Sequence, residues 1–499
     1  MDAVSTTANI VENSNLLLAV IIPLFGSLVV MTLKNHPNLR EFVSFCAAVL
    51  LFIMVLSFVP LIRAGEMPTY TLFHLLPGLT VSLRADALSL VFAIIASFLW
   101  IISVFYAAGY MRAHEEKNQT RFNACFALAI FGAIGVALSG NFFTMYLFYE
   151  IVSVCTYPLV AHSQNEAGYN GARKYIIYLT STAKLFLLPA MILIFVLVGN
   201  LDFATNIKTG IFPADVDKHL VVILFFLCLF GMAKNGVMPF HHWLPGAMVA
   251  PTPVSALLHA VAVVKVGVFS TTRVMLYVFG TDLLHSLHLD ITGAYIVSAT
   301  IILASVIALT KDNLKERLAY STISQLSYIL VGVFLISASG IGITGGIIHI
   351  ANHAFAKITL FWCAGAIFIA SHKTQISEMD GLAKKMPVTM TAFTVGAFSM
   401  IGMPLFAGFV TKWFLVQGAM EINQWWIVGF LMFSTILNAG YFLPPIYAAF
   451  FRPLPEGQTP ERQEAPLAMI IPISITACIT MYLFLNPSIF VSLAHIVVH

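Results

Sequence analysis

The chain has 499 residues, of which 59% are hydrophobic and only 9% are charged, and its mean hydropathy is +0.91. Soluble domains carry a charge on about a quarter of their residues, so this composition excludes a soluble protein. The net charge is +3, and the basic residues form no face suited to nucleic acid. The sequence therefore predicts a protein of the lipid bilayer without a nucleic-acid partner.

Apolar runs recur along the whole chain, and each is long enough to cross a bilayer as a helix. They begin near Leu16, end near Leu493, and predict an all-α polytopic membrane protein with about 14 transmembrane helices. The segment before the first run has no Lys or Arg, which disfavours a cleaved signal peptide. All six cysteines fall inside apolar spans without a CxxC pair, so we interpret them as packing residues.

Basic residues outside the spans are distributed unevenly between the connections. Fifteen lie in odd-numbered connections, and the four in even-numbered connections are Arg63, Arg84, Lys208 and Lys218. Because loops rich in Lys and Arg stay in the cytoplasm, the odd connections are predicted to be cytoplasmic. With an even number of spans both termini lie outside, and the predicted location is a bacterial or archaeal inner membrane.

Charged side chains also lie inside the spans, where each costs about 2.5–3.5 kcal/mol at the bilayer centre. In chain order they are Glu150 in the fifth span, Lys184 in the sixth, Lys234 in the seventh, Lys265 in the eighth, Lys357 in the eleventh and Lys412 in the twelfth. Charges at this depth are functional by default. We predict that they mark an ion path.

Helix breakers interrupt the seventh and twelfth spans in a similar way. The seventh reads GMAKNGVMPFHHWLP around Lys234, and the twelfth reads IGMPLFAGFVTKWF ahead of Lys412. Paired interruptions of this kind point to a binding site at the membrane midplane. They also indicate an internal repeat of five spans, and an odd repeat length forces the second copy to insert upside down.

Two inverted five-helix repeats divide the chain into four predicted parts. Helices 1–3 occupy residues 1–120, helices 4–8 form the first repeat at 121–280, helices 9–13 form the second at 281–450, and helix 14 occupies 451–499.

A polar stripe is predicted in the eleventh span, where His349, His353 and Lys357 recur every four residues and so share one helix face. Such a stripe could relay protons between the two halves. The alternative is that one or both histidines only bond to the backbone in the core. His259, in the eighth span, has no such partner in the sequence, and both interpretations stay open for it.

The longest motif is GVMPFHHWLPGAMVAPTPVSALLHAVAVVKVGVF at residues 236–269. It resembles the signature stretch of the antiporter-like membrane subunits of complex I and of Mrp-type cation/proton antiporters, including the D-type members of the latter. DALSLVF from Asp86, NFFTMYLFYEIVSVCTYPLV from Asn141 and HIANHAFAKITLFWCAG from His349 extend the resemblance over residues 80–450. It implies fourteen helices, broken seventh and twelfth helices, and both termini outside.

By that resemblance, Glu150 and Lys234 form the charge pair of the first half-channel. Lys265 is then the central relay, and Lys412 is the gate residue of the second half. Burial pushes a lysine toward its neutral form and a nearby carboxylate pulls it back, so separation from Glu150 would release the proton of Lys234 onward. The alternative is a static structural ion pair.

Lys184 departs from the pattern of the family, whose sixth helix is mostly apolar at this point. It lies five residues before Pro189, which is expected to kink the helix. Two roles stay open: an additional relay group, or an alternative partner for Glu150.

The sequence contains no nucleotide-binding glycine motif, clustered cysteine set or haem-attachment motif, so no cofactor is expected. The driving reaction would then lie in other membrane subunits, and the expected ion is H⁺, with Na⁺ as a further candidate. One hypothesis is a subunit of a multisubunit cation/proton antiporter. The other is a proton-pumping subunit of a redox complex of the complex I, hydrogenase or formate-oxidising type. A lysine at position 412, where the complex I subunit of most similar length usually has Glu, favours the antiporter D-type or the hydrogenase-linked members of the family.

Overall fold

Helices make up most of the chain in the computed structural model, which describes residues 9–457 and 461–499. The N-terminal part contains α1 (Asn15–Thr32), α2 (Pro37–Ser57), α3 (Val59–Arg63), α4 (Ala87–Ala113), α5 (Gln119–Ala137), α6 (Phe142–Val160), α7 (Glu166–Thr182) and α8 (Leu188–Val198). A π-helical turn, Ala183–Leu187, joins α7 to α8, and the two form one continuous span of 33 residues.

The central part is less regular. It contains α9 (Lys218–Gly231), α10 (Trp243–Gly246), α11 (Thr252–Ala256), α12 (Val263–Val274), α13 (Thr281–Ser286), α14 (Leu289–Leu309) and α15 (Leu314–Phe334). A π-helical turn, Leu257–Val261, connects α11 to α12, and a second one, Met275–Phe279, follows α12. The span from Thr252 to Phe279 is entirely buried in its most apolar stretch, so it lies at the centre of the protein.

The C-terminal part contains α16 (Ile341–Ser371), α17 (Leu382–Lys385), α18 (Pro387–Ile401), α19 (Ala407–Glu421), α20 (Trp425–Phe451), α21 (Leu467–Leu485) and α22 (Ser488–Val498). The longest of these is α16, which packs against α4, α15, α18, α19 and α21. Together, α11, α12 and α16 form the core around which the other helices are arranged.

The predicted all-α membrane fold is confirmed. Eleven helices of the described residues are long and apolar enough to cross a membrane. The remaining predicted spans correspond to the short helices α9 and α18, the latter continued by α19, and to α15, which is long but more polar. The exact count of fourteen, the inverted relation of the two repeats and the four residue ranges stay predictions.

A small sheet, which the sequence analysis did not predict, lies between the helical hairpin α1–α2 and α4. It consists of β1 (Asn9–Glu12), β2 (Glu66–Leu76) and β3 (Leu79–Arg84), with β1 parallel to β2 and β2 antiparallel to β3. The Pro77–Gly78 dipeptide between two runs rich in Thr, Val and aromatic residues is a hairpin signal. This signal is short beside the long apolar runs that predict membrane helices elsewhere in the chain.

Both predicted helix breaks are present. The α-helix is interrupted between Gly231, where α9 ends, and Trp243, where α10 begins, with one 3₁₀ turn at Ala233–Asn235, and it is interrupted again between α18 and α19. At the second break Gly402 has φ +86°, and a Cβ there would meet the Lys412 side chain at 2.6 Å. Glycine is therefore required both for the left-handed turn that ends α18 and for the close approach of the lysine.

A buried ion cluster joins three separate parts of the chain. Asp86 caps the N-terminus of α4 and receives two hydrogen bonds from Arg273 of α12, at 2.5 and 2.8 Å. Arg84 of β3 donates to the same carboxylate at 3.2 Å and to the backbone oxygen of Phe203 at 2.8 Å. All three charged side chains are at least nine-tenths buried. The sequence analysis assigned no structural role to this cluster.

We expect Asp86→Ala to destabilise the folded protein by about 3–5 kcal/mol, because it leaves two buried guanidinium groups without their carboxylate. The loss is measured as a lower thermal unfolding midpoint of the purified protein. Asp282→Ala, at an exposed carboxylate, is the matched control and is expected to change stability by less than about 0.5 kcal/mol. An equal midpoint for the two variants would contradict a stabilising role for the cluster.

Membrane orientation is tested by labelling, since the prediction rests on loop charge alone. In a cysteine-free background, single cysteines at the exposed positions Lys117 and Lys384 should resist an impermeant maleimide added to intact cells. A cysteine at the exposed position Asp215 should react. The reverse labelling pattern would overturn the predicted orientation and place both termini in the cytoplasm.

Candidate functional site

Four of the five lysines predicted in the membrane interior are deeply buried. Lys234, Lys265 and Lys357 are 0% exposed and Lys412 is 8% exposed. They lie in the break after α9, in α12, in α16 and in α19, respectively. A buried charge is costly unless it has hydrogen-bonding partners or a role in transport. The contacts of each ammonium group therefore show how its charge is stabilised.

Lys234 is held by Tyr149 and does not contact Glu150 directly. Its ammonium nitrogen donates to the backbone oxygen of Tyr149 at 2.8 Å and lies 3.2 Å from the centre of the Tyr149 ring. Among the described residues no ion pair within 4 Å joins Lys234 to Glu150, although the two charges interact electrostatically. One carboxyl oxygen of Glu150 is buried without a hydrogen-bond partner. Glu150 and Lys234 thus lie near each other, but their charged groups are not in contact.

The backbone of Lys234 is packed directly on α12. A Cβ at Gly267 would overlap the backbone of Lys234 and Asn235, so only glycine permits this contact. Lys265 lies two residues before Gly267 on the same helix, and its ammonium nitrogen is 2.8 Å from Nδ1 of His353. The structure therefore brings Lys265 together with the α16 stripe, whereas no hydrogen bond of the described residues connects Lys234 to Lys265.

The predicted polar stripe on α16 is buried along its whole length. His349 and His353 have ring centroids 5.9 Å apart. His349 is hydrogen-bonded through both ring nitrogens, to Thr411 of α19 at 3.2 Å and to Gln325 of α15 at 3.1 Å. Among the described residues neither histidine is hydrogen-bonded to the backbone, so the polar contacts of the stripe are made with side chains, and Nε2 of His353 is left without a partner.

A second chain of side chains leads from Lys357 toward Lys412. The ammonium nitrogen of Lys357 donates to the Ser321 hydroxyl at 2.9 Å, and the Tyr441 hydroxyl donates to the same oxygen at 3.2 Å. The Asn438 amide is assigned with its nitrogen donating to Tyr441 at 2.5 Å and its oxygen accepting from Lys412 at 3.3 Å. In this orientation every contact pairs a donor with an acceptor, so the two lysines are joined by a continuous polar network.

Lys412 lies against the break between α18 and α19. Its ammonium nitrogen donates to the backbone oxygen of Ile401 at 2.6 Å, which is at the C-terminal end of α18, and to the Thr435 hydroxyl at 2.9 Å. The C-terminal end of a helix carries partial negative charge on its free carbonyl groups. The broken helix therefore supplies the anionic surroundings that a full carboxylate would otherwise have to provide.

His259 lies in the π-helical turn between α11 and α12 and is fully buried. Its ring stacks on Phe361 with a centroid distance of 4.5 Å, and neither ring nitrogen has a hydrogen-bond partner among the described residues. Its nearest charged groups are Lys357 and Lys315. Single π-turns inside helices often mark functional sites.

A polar cavity of about 200 Å³ opens on the side of the protein that is predicted to be cytoplasmic. Its polar lining residues include Tyr110, His114, Glu116, Thr252, Lys315 and Lys373. Thr252 precedes His259 by seven residues, and Ala364, also at the cavity wall, follows Lys357 by seven residues. Seven residues are about two helical turns, or about 10.5 Å. His259 and Lys357 therefore lie about 10.5 Å deeper in the protein than the inner wall, or floor, of this cavity, which we call the vestibule.

Two of the charged groups that line the vestibule, Glu116 and Lys373, are perturbed toward their neutral forms. Burial raises the pKa of Glu116, opposed by the charge of His114. Burial also lowers the pKa of Lys373, and the nearby Lys385 lowers it further. Both changes make it easier for these groups to exchange protons near neutral pH.

Lys184 lies outside this buried axis. It is exposed on the outer surface of the π-turn between α7 and α8, and its ammonium forms no hydrogen bond or ion pair with residues 9–457 or 461–499. It is close enough to Glu150 for their charges to interact.

Several polar residues of the axis were missed by the sequence analysis. They are Tyr149, Ser321, Gln325, Thr411, Asn438 and Tyr441. A usable signal existed for one pair: Asn438 and Tyr441 are three residues apart and so share one face of α20. Neutral polar residues carry less insertion penalty than charges, so their presence alone is a weaker indication of function.

The fold and the site together define a polytopic helical membrane protein with a buried lysine and histidine axis through two broken helices. Residues 139–438 match the family described as NADH:quinone oxidoreductase/Mrp antiporter, TM. NADH-quinone oxidoreductase subunit N of Desulforudis audaxviator (strain MP104C) is 31% identical over 474 residues, or 92% of this chain and 93% of that protein. The chain belongs to this family, as its sequence motifs predicted.

Other similar proteins come from both branches of the family. A probable K(+)/H(+) antiporter subunit of Rhizobium meliloti (strain 1021) is 31% identical over 409 residues, which cover 81% of this chain but 40% of that protein. A chain of the Mrp complex from Dietzia sp. DQ12-45-1b superposes with a TM-score of 0.85 at 23% identity, covering 97% of this chain and 96% of its own. A chain of an archaeal membrane-bound sulfane sulfur reductase gives the same TM-score and identity over 98% of each chain. These two structures show the shared fold.

Proposed function

We propose that the protein is the proton-translocating membrane subunit of a multisubunit cation/proton antiporter. The observation that carries this proposal is the buried axis: Lys265 contacts His353, and Lys357 is joined to Lys412 through three hydrogen-bonding side chains. Such an arrangement serves no obvious purpose in a structural subunit, because each buried ammonium is costly. Family membership supports the same conclusion.

In the proposed mechanism, lysines carry the protons because a buried ammonium can release its proton, which a guanidinium cannot. Approach of Glu150 to Lys234 favours the charged lysine, and the separated arrangement found here favours release. The proton then passes to Lys265, along the α16 stripe of His349, His353 and Lys357, and from Lys357 through the α20 network toward Lys412. The separation of Glu150 from Lys234 is thus one state of a two-state switch.

The vestibule is proposed to be the cytoplasmic access route to the centre of the axis. Glu116 and Lys373 at its rim exchange protons with the cytoplasm. His259 is assigned to the step between the floor and Lys357, because both its ring nitrogens are buried without a hydrogen-bond partner among the described residues and the charge of Lys357 acts on it. The same histidine would otherwise be a costly residue to bury.

The proposed setting is the inner membrane of a bacterium or archaeon, with both termini outside and with other membrane subunits as partners. The transported ions would be H⁺ and a counter-transported cation, with Na⁺ as the first candidate. Relatives within multisubunit complexes support the partners. The charge distribution of the loops supports the orientation.

A second candidate function is proton pumping in a redox-driven complex. It is favoured by the relative named as a subunit of NADH-quinone oxidoreductase, which matches this chain over nearly its full length. In both candidates the same axis moves protons, and only the source of free energy differs.

The experiment that separates the two candidates uses the complex extracted gently from native membranes and reconstituted in vesicles. The antiporter proposal expects Na⁺-dependent recovery of an imposed pH gradient without any electron donor, and co-purifying subunits without iron or nickel. Transport that requires hydrogen, formate or a reduced carrier, with metal in the same fraction, would replace it by the redox-driven pump. No proton movement under either condition would overturn both.

A further inference from the structure

Lys184 lies in the middle of a transmembrane helix and faces outward. It is part of the π-turn Ala183–Leu187 within the continuous span Glu166–Val198. Its side chain is exposed, as are those of Ile177 and Leu185 on the same face, the latter at 67%. In the bilayer this surface of the isolated chain would meet lipid tails, which cannot solvate an ammonium group.

The side chain is too far from either end of the helix to reach water. Glu166, where the span begins, precedes Lys184 by eighteen residues, or about 27 Å along the axis, and Val198, where it ends, follows by fourteen residues, or about 21 Å. Lysines near helix ends place their ammonium groups in the interface by extending along the helix, but these distances exceed the length of a lysine side chain. Lys184 therefore needs a partner within the hydrocarbon layer.

No residue of the described chain satisfies that need. Among residues 9–457 and 461–499 Lys184 has neither a hydrogen bond nor an ion pair, and Glu150, whose charge it senses, is not within 4 Å. Glu150 in turn has a buried carboxyl oxygen without a partner. Two groups of opposite charge on adjacent helices are thus both incompletely satisfied at the same edge of the protein.

Apart from the exposed Ser181, one turn earlier, the exposed surroundings of Lys184 are apolar. We define the α6–α8 flank by its exposed side chains Leu147 and Val154 of α6, Ile177 of α7, Lys184 and Leu185 of the π-turn, and Ile192 and Val196 of α8. Along α7–α8 these residues recur at helical intervals and form a stripe. Lys184 carries the single charge of this stripe. A helix that packs on the stripe must therefore supply a group that can pair with an ammonium ion.

We infer that the α6–α8 flank is the docking surface for a transmembrane helix of another membrane subunit, and that this helix presents an Asp or Glu to Lys184. The ion pair would satisfy an ammonium that lipid leaves unsolvated, and the apolar residues on either side would pack against the same helix. The carboxylate of the partner would also lie next to Glu150. Docking of the partner would therefore influence the charge states of Glu150 and Lys234, the pair of the first half-channel. The inference rests on the multisubunit assembly proposed above, but not on transport.

The test measures subunit composition in complexes purified from native membranes through a tag on this chain. Lys184→Met is expected to lower the amount of one co-purifying subunit by tenfold or more, whereas Lys184→Arg should retain it. Leu303→Met, at a 53% exposed side chain of α14 outside this flank, is the matched control and should leave the composition unchanged. Unaltered composition with Lys184→Met would overturn the inference.

A photo-crosslinking residue at Leu185 identifies the contact directly. The expected product joins this chain to the subunit lost with Lys184→Met, at a transmembrane helix with an Asp or Glu within one turn of the crosslink. Exchange of charges, with Lys184→Glu combined with a lysine at that acidic position, should restore assembly. Crosslinks to phospholipid alone, or to a helix without an acidic residue, would contradict the inference. An intact complex that moves no protons would count against the proposed function but not against this surface.

Discussion

Replacing Lys234 with arginine is expected to reduce proton transport about 100-fold or more while the complex still assembles. The reason is that a guanidinium keeps its proton, so a relay that depends on release of the proton stops at this residue. Lys234→Met is expected to have an effect of similar size, because it removes the proton carrier altogether. The measurement is proton uptake by vesicles that contain the purified complex.

A second position separates the loss of proton transfer from a general effect of the substitution. Lys384→Arg, at an exposed lysine on the predicted cytoplasmic side, is the matched control and should transport normally. Native gel electrophoresis and thermal unfolding establish that each variant complex is assembled. Full transport by assembled Lys234→Arg would mean that Lys234 is a fixed positive charge, and that the static interpretation of its pairing with Glu150 is correct.

The second large effect is expected at the junction between α16 and α20. Lys357→Met should lower transport by about 100-fold, because it removes the group that connects the α16 stripe to Ser321, Tyr441 and the second half. Tyr441→Phe removes one hydroxyl of that network and should lower transport by about tenfold, which is the loss expected for one hydrogen bond of about 1.4 kcal/mol. Both are measured in the same vesicle assay.

Tyr447 provides the control for Tyr441, since it lies on the same helix but is 56% exposed. Tyr447→Phe should leave transport unchanged. If Tyr441→Phe and Tyr447→Phe behave alike, the proton does not travel along the α20 network, and the path from Lys357 to Lys412 must follow the Gln325 and Thr411 side of α16 instead.

The membrane character of the chain and its buried cations could be predicted from the sequence because both depend on local properties. A run of apolar residues specifies a membrane helix by itself, and an ammonium at mid-membrane depth is costly wherever its helix packs. The breaks at Lys234 and Lys412 were predictable for the same reason: glycine and proline act on the backbone of their own segment. The i, i+4 spacing of His349, His353 and Lys357 was likewise a property of one helix.

Which groups meet was decided only by the tertiary structure. Tyr149, and not Glu150, holds the ammonium of Lys234, because the break in the chain aims the side chain at the backbone of α6. Asp86 and Arg273 are 187 residues apart in sequence and 2.5 Å apart in space. The sequence placed Lys184 in the same class as the buried lysines, whereas packing leaves it on the outer surface. Periodicity within a helix specifies a face, but the choice of neighbour for that face depends on the packing of all the helices together.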